Sequence, residues 1–312
     1  MRTGKELLSG VTVPLVTPMK PDGMPSAAGA VPLLDALHGA GVRGLMLLGS
    51  NGEGPLIPTA WLAPFVDGVI EYWRALCGDS GFVTVNVTAP GTADALGRAA
   101  VAASAGADAL VVSPPIYFHH RADEIVDHYA VLASIGLPVI AYNAPRYSNP
   151  ITATVLDGLL ELRDVVGVKD SSGDLEWLGR LVDRTRDRPG FAVSQGAETR
   201  LAAALDLGAD GITPGVANIA PGLCLRLVAA HEAGDRDAVA RLQNGITALT
   251  KLHTIRPGVP AVKEVLAQRA LCPPYVALPL RQCTTAERAE LREFVSRHED
   301  QLIHPTNGQQ HG

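Results

Sequence analysis

The sequence predicts an α/β fold, a (β/α)8 TIM barrel with a helical C-terminal extension. Eight short, almost continuously apolar runs alternate with longer segments of helical spacing up to about residue 214. Strands buried on both faces read this way. Three helix-to-strand junctions repeat one pattern, AGVRGL at 40–45, AGADAL at 105–110 and LGADGI at 207–212. Each of their first glycines suits a left-handed helix cap. The chain is 47 % hydrophobic but only 4 % aromatic, a mix that fits parallel strands under close-packed helices better than an antiparallel sandwich. A doubly wound open sheet is the runner-up. No G-x-G-x-x-G follows an early strand, which weakens its dinucleotide-binding version.

The expected strands are 10–16 (GVTVPLV), 44–48, 82–87, 109–113, 138–143, 165–169, 191–194 and 210–213. Between them lie Ala-rich helical segments. In 92–105, Ala95, Leu96, Ala99, Ala102 and Ala103 fall on one stripe, and the next strand follows Gly106. Beyond residue 214 the chain reads as helical over 219–233, 236–254, 258–269 and 285–299. One helix finishes the eighth unit, so the others form an extension packed on the barrel. The expected organisation is therefore a barrel over 1–218, a closing helix and extension over 219–303, and a disordered tail over 304–312 (HPTNGQQHG).

Composition removes several function classes. A net charge of −6 with no long basic run offers no footprint for nucleic acid. No apolar stretch reaches membrane-spanning length, and the first twenty residues lack the features of a secretory signal. Cys77, Cys224, Cys272 and Cys283 are scattered without a C-x-x-C pair, which reads as free thiols in a reducing compartment. The expectation is a soluble, cytoplasmic protein.

Catalytic groups of such barrels come from the C-terminal ends of strands and the loops after them. Strand 2 is followed by Gly49-Ser50-Asn51-Gly52-Glu53, strand 4 by Pro114-Pro115-Ile116-Tyr117, strand 5 ends in Tyr142-Asn143 and strand 6 in Lys169-Asp170. Lys169 is one of five lysines and the only one on an expected strand. Its apolar approach (Val165, Val166, Gly167, Val168) strips hydration from the ammonium and favours the neutral amine. A neutral amine is the nucleophile that makes an imine with a ketone. Position alone leaves a second reading equally open, a lysine paired with Asp170 or another carboxylate to close the barrel top. Tyr142 on the neighbouring strand tips the balance, because a phenol there can exchange protons with the carbinolamine and the substrate oxygen. The alternative is a core aromatic whose hydroxyl finds a backbone partner. The turn around Ser50 and Asn51 can aim backbone N–H groups at a carboxylate, or it is an ordinary turn. His119, His120 and His128 are the clustered histidines, but they fall in a loop and an early helix, without carboxylates on adjacent strand ends. A metal-dependent enzyme is the rival they offer, and it is the weaker one.

In order, the motifs GVTVPLVTP (10–18), GSNGE (49–53), GADALVVSPPIY (106–117), PVIAYNAP (138–145) and VVGVKDSSGD (165–174) resemble the dihydrodipicolinate synthase / N-acetylneuraminate lyase family of pyruvate-dependent class I aldolases. The resemblance runs from about Gly10 to about residue 300. It implies a Schiff-base lyase acting on pyruvate, or a close 2-oxo acid, and an aldehyde, with no cofactor and no metal. Lys169 matches the Schiff-base lysine and Tyr142 the acid/base tyrosine. Ser50 matches the first hydroxyl of the G-[ST]-[ST]-G-E loop, which relays protons to that tyrosine. Asn51 replaces the second hydroxyl, and with Gly52 it is assigned to the carboxylate. Tyr117 matches a tyrosine that in many members reaches a neighbouring subunit's site, implying a homodimer or homotetramer.

The departures bear on substrate. Lysine-making synthases place an arginine where Tyr147 stands, and Arg146 comes one residue early. Ile116 replaces a tyrosine of the lysine-inhibitor site, so the resemblance implies no lysine feedback. Sialic acid lyases carry Asp-Glu after the strand 7 glycine, and Gly196-Ala197-Glu198 keeps only the glutamate. Glu198, Arg146, Asn86 and Tyr147 are the candidates to line the pocket, with Gly196 beside them. GSNGExP, ending at Pro55, and KDSxGD resemble 4-hydroxy-2-oxoglutarate aldolase most. A 4-hydroxy-tetrahydrodipicolinate synthase and a non-catalytic 2-oxo-acid-binding protein are the alternatives.

Overall fold

The computed structural model describes residues 1–306. Eight parallel strands close into a barrel in sequential order. They are β1 (Gly10–Pro14), β2 (Gly44–Leu47), β3 (Phe82–Asn86), β4 (Ala109–Val112), β5 (Val139–Asn143), β6 (Val165–Asp170), β7 (Ala192–Gln195) and β8 (Gly211–Ile212). Closure comes from Gly10 and Val11 of β1 pairing with Gly211 and Ile212 of β8. That last strand is shorter than the expected 210–213. Even so, the Asp210 and Thr213 amides still bond to the Val193 and Gln195 carbonyls at 2.8 Å each.

A short helix α1 (Gly4–Leu8) precedes the sheet, and the helices wrapped around it are α2 (Ala27–Gly39), α3 (Leu62–Cys77), α4 (Thr92–Ser104), α5 (Ala122–Ala133), α6 (Ala153–Glu161), α7 (Leu175–Thr185) and α8 (Leu201–Asp206). The repeated junctions have the expected caps, with φ of 97° at Gly41, 78° at Gly106 and 98° at Gly208. Only glycine adopts that conformation without steric cost. The aspartate two residues on does a second job. Asp108 and Asp210 each accept the first free amide of the preceding strand, Val83 and Val193, at 2.8 Å. Their other oxygens pair with Arg2 and Lys5 of the N-terminal segment.

That segment holds α1, an element the sequence reading did not foresee. Its five residues are too few for a periodic pattern, but Thr3 and Glu6 form a reciprocal capping box at its start. Leu7 and Leu8 enter the barrel floor and join Phe82, Val111, Ile140 and Ala192 in an interior column that ends at Met46 and Tyr142. A separate, larger core lies between the outer strand faces and the helices. On α4 the buried face is Ala95, Arg98, Ala99 and Ala102, so the face is turned toward Arg98, and Leu96 and Ala103 at the other flank of the expected stripe are half-buried. The two terminal nitrogens of Arg98 donate to the Gly54 and Ile57 carbonyls at 3.0 and 2.7 Å, while its buried Nε has no partner.

The C-terminal third is helical as expected: α9 (Pro221–Glu232), α10 (Arg236–Leu249), α11 (Leu252–Ile255), α12 (Val259–Gln268) and α13 (Thr285–Arg297). The expected 236–254 helix is interrupted at Thr250 and Lys251. Of the tail expected to be disordered, His304 is bonded to Arg269 at 2.8 Å, and residues 307–312 lie outside the described residues. All four cysteines are free. Among the described residues no helix is long and apolar enough to cross a membrane.

Candidate active site

Strand alternation builds the site. Successive side chains on a strand point to opposite faces. The pairing register puts Tyr142, Lys169 and Ser194 in one row across β5, β6 and β7, and Asn143, Asp170 and Gln195 in the next. The first row points into the barrel. The second points outward, where Asp170 accepts hydrogen bonds from Asn143 (2.6 Å), Ser172 (2.9 Å) and Gln195 (3.2 Å). Lys169 and Asp170 therefore cannot pair, and among the described residues no carboxylate lies within ion-pair distance of Lys169. The pairing left open by the sequence is not made.

The Lys169 side chain is 3 % exposed. Its Nζ lies 4.2 Å from the centre of the Tyr142 ring and 3.7 Å from the Met46 sulfur. Burial lowers its pKa from the ordinary lysine value, and the nearby Tyr142 phenol and Glu198 carboxylate oppose that only in part. Burial pushes the Tyr142 phenol the other way, up. The Lys169 charge and hydrogen bonds from Ser50, Ser171 and Lys169 outweigh it, so the net shift is down. Amine and phenol are thus both drawn toward neutral pH, the range in which one can attack and the other can shuttle protons.

The Ser50 hydroxyl lies 3.3 Å from the Tyr142 hydroxyl, and either can donate. Its turn is held from several sides. Asn86 donates to the Leu48 carbonyl at 2.9 Å, and Thr17 donates to the Gly52 carbonyl at 2.6 Å. A Cβ at Gly52 would meet the Leu48 amide at 2.8 Å, so the turn closes this tightly only with glycine. Gly196 has a similar role, since a Cβ there would meet the Ser171 hydroxyl at 2.2 Å and Lys169 Cε at 3.2 Å. It leaves room for the amine's stem. Glu198 accepts from the Val216 amide at 2.7 Å. Burial raises its pKa, against the pull of that amide and of Lys169. A Cβ at Gly215 would sit 2.8 Å from the Asn51 side chain and 3.1 Å from Glu198, so these two candidates flank one glycine.

The structure separates other candidates from this cluster. Tyr117 is 87 % exposed, in a left-handed conformation with φ of 84°, and stacks edge-on against Phe118. Within one chain it stands apart from the Ser50–Tyr142 pair. Asn86 is buried and spent on Leu48 and Thr88, so it supports the turn instead of lining a pocket. Arg146 and Tyr147 are exposed on the loop after β5, and the Arg146 guanidinium makes no ion pair among the described residues. His128 is buried against the Thr92 hydroxyl at 2.9 Å, and among the described residues no three His, Cys, Asp or Glu side chains gather as metal ligands. The sequence reading missed Met46, Ser171, Gly215 and the buried Glu53–Lys263 pair. Alternation along β2 would have placed Met46 inside, whereas the other three depend on loops and on α12.

A closed parallel barrel with a desolvated amine, a phenol and a hydroxyl gathered at its mouth has the make-up of a barrel lyase. The chain belongs to the dihydrodipicolinate synthetase family, whose sequence profile matches residues 7–298. As a member it is a lyase. It is 33 % identical to an uncharacterized DapA-like lyase of Halobacterium salinarum, over 91 % of this chain and 92 % of that one. It is 27 % identical to the 4-hydroxy-tetrahydrodipicolinate synthase of Methanospirillum hungatei, over 84 % of this chain and 89 % of the relative. Among solved structures, dihydrodipicolinate synthase from Bacteroides thetaiotaomicron superposes with a TM-score of 0.87 at 27 % identity, covering 95 % of this chain and 100 % of that one. YagE, a prophage protein of E. coli K12 crystallised with pyruvate, shares the fold with a TM-score of 0.85 at 23 % identity, over 94 % of this chain and 99 % of its own.

Proposed function

We propose that this chain is a Schiff-base lyase that makes or breaks a C–C bond to pyruvate or a close 2-oxo acid, with Lys169 as the imine-forming residue. The observation that carries the reading is the Lys169 amine, buried without a carboxylate partner and 4.2 Å from the Tyr142 ring centre. In the cleavage direction, Lys169 adds to the C2 ketone and the carbinolamine loses water to give an iminium. Tyr142 takes the C4 hydroxyl proton as the C3–C4 electron pair moves into the iminium, releasing the aldehyde and leaving an enamine. Protonation at C3 and hydrolysis then return the 2-oxo acid and the free amine. Ser50 hands protons to and from Tyr142, while Asn51 and the Gly52 amide hold the substrate carboxylate. The iminium does the polarising, so the scheme needs no metal or cofactor. The test is borohydride trapping with pyruvate followed by mass spectrometry. An adduct on Lys169 is expected, and a folded protein without one rules the reading out.

The substrates we favour are 4-hydroxy-2-oxoglutarate-like or sugar-acid aldols, because the GSNGExP and KDSxGD runs are of that kind and Glu198 offers a half-buried acceptor for a hydroxyl. Condensation of pyruvate with aspartate semialdehyde is the second reading, supported by the synthase names of several relatives and by the unpaired guanidinium of Arg146 near the mouth. A screen of pyruvate release from 4-hydroxy-2-oxoglutarate, sialic acid and 2-keto-3-deoxy sugar acids, run beside the synthase assay, separates the two. No turnover with any of them, in a protein that still traps pyruvate, would favour a 2-oxo-acid-binding protein. Exposed Tyr117 completes the site of a second copy in this reading, in a homodimer or homotetramer.

A further inference from the structure

The turn that carries Ser50 is bracketed by two non-glycine residues in the left-handed conformation, Leu48 with φ of 58° and Glu53 with φ of 56°. Such conformations persist where the surroundings over-determine them. At Glu53 the surroundings come from the C-terminal extension. One carboxylate oxygen lies 2.5 Å from Lys263 Nζ, with side chains 1 % and 0 % exposed, and the other accepts the Ala277 amide at 2.6 Å. Lys263, on α12, also donates to the Tyr275 carbonyl at 2.7 Å. The pair thus locks the end of the turn to α12 and to the strap that follows it. An ion pair this deep is a poor source of stability, because desolvating both charges offsets most of their attraction. It does fix one geometry, since a single buried charge left alone is far worse. Lys169 stands on a different wall, on β6, and its stem is seated by Gly196 and Met46.

We infer that Glu53 and Lys263 are positioning residues that set the reach of Ser50 to Tyr142, and so control proton transfer at the enamine step far more than they control imine formation. The inference rests on the Schiff-base reading above. Two measurements with pyruvate alone separate the steps, and neither needs the aldehyde to be known. Borohydride trapping reads imine formation, and hydrogen–deuterium exchange of the pyruvate methyl group, followed by proton NMR, reads proton transfer at C3. The Ser50→Ala variant serves as the reference for slow exchange with intact trapping.

The Glu53→Gln and Lys263→Met variants are expected to exchange at least about tenfold more slowly while trapping stays within about threefold of the wild type. The Glu53→Gln/Lys263→Met double variant, which leaves no unpaired buried charge, is expected to regain the thermal midpoint lost by the singles and still exchange slowly. If the singles do not fold, the double carries the comparison. Exchange that recovers along with the midpoint, or that falls only in step with trapping, overturns the inference and leaves the Schiff-base reading standing. Absence of an adduct in the wild type removes both.

Discussion

Lys169 and Asp170 are neighbours in sequence and strangers in space. Strand alternation turns one into the barrel and the other toward the helices, and that one fact decides whether the amine is free. The cost of a lone buried amine should be measurable. Burial lowers the Lys169 pKa in the folded state, so the unfolded chain binds the extra proton between that lowered value and the ordinary lysine value of about 10.4. Stability contributed at this site rises with pH across that window. Lys169→Met, which abolishes trapping, is therefore expected to raise the thermal midpoint at pH 7 by about 2 °C or more, with the gain fading toward pH 10. Calorimetry at several pH values checks this, and a midpoint lower than wild type at pH 7 would count against a desolvated amine. Tyr142→Phe keeps the ring beside Lys169 but removes the proton carrier. Turnover should fall by about 10²-fold or more while trapping persists. Gly196→Ala should impair both, because the new methyl collides with the Ser171 hydroxyl and crowds the lysine stem.

Single elements carry a different kind of information. The short helix α1 is a floor for the barrel, and the fully buried Leu7 is its main plug. Leu7→Ala should cost about 2–5 kcal/mol, seen as a lower denaturation midpoint with unchanged trapping chemistry in the folded fraction. On α5, burial pushes the His128 imidazole down to about 4, with the neighbouring His120 adding to the shift. The sign follows directly. As pH falls through about 6.5 the unfolded chain takes up a proton that the folded chain refuses until about pH 4, so stability is present above that window and lost across it. The loss is on the order of 3 kcal/mol. Urea denaturation between pH 7 and 4 should show it, and His128→Gln should lessen the loss. A parallel curve for the variant would mean His128 titrates normally.

At the scale of the whole molecule, Tyr117 is 87 % exposed, held at φ of 84° and packed edge-on against Phe118, clear of its own chain's Ser50–Tyr142 pair. If it completes a second copy's site, a Lys169→Met protein and a Tyr117→Ala protein should each be inactive alone. Unfolded together and refolded as a mixture they should recover activity, up to about a quarter of the wild-type level for a randomly mixed dimer. Sedimentation should find a dimer or larger. A monomeric wild type, or no recovery on mixing, would remove Tyr117 from the site.

Barrel class, strand order, glycine caps and the placement of Lys169 and Tyr142 were all legible in the sequence. Each follows from local rules: apolar runs of strand length, left-handed caps and the side-chain period of two. Even the separation of Lys169 from Asp170 was within reach of those rules. What they could not reach are contacts between residues far apart in the chain. The floor formed by α1 depends on the N-terminal segment, the loss of Asn86 to the Leu48 carbonyl on the neighbouring strand end, the exposure of Tyr117 on its loop, and the lock between Glu53 and Lys263 on α12. No periodicity encodes those placements, because only packing of the C-terminal extension on the barrel brings residue 53 to residue 263.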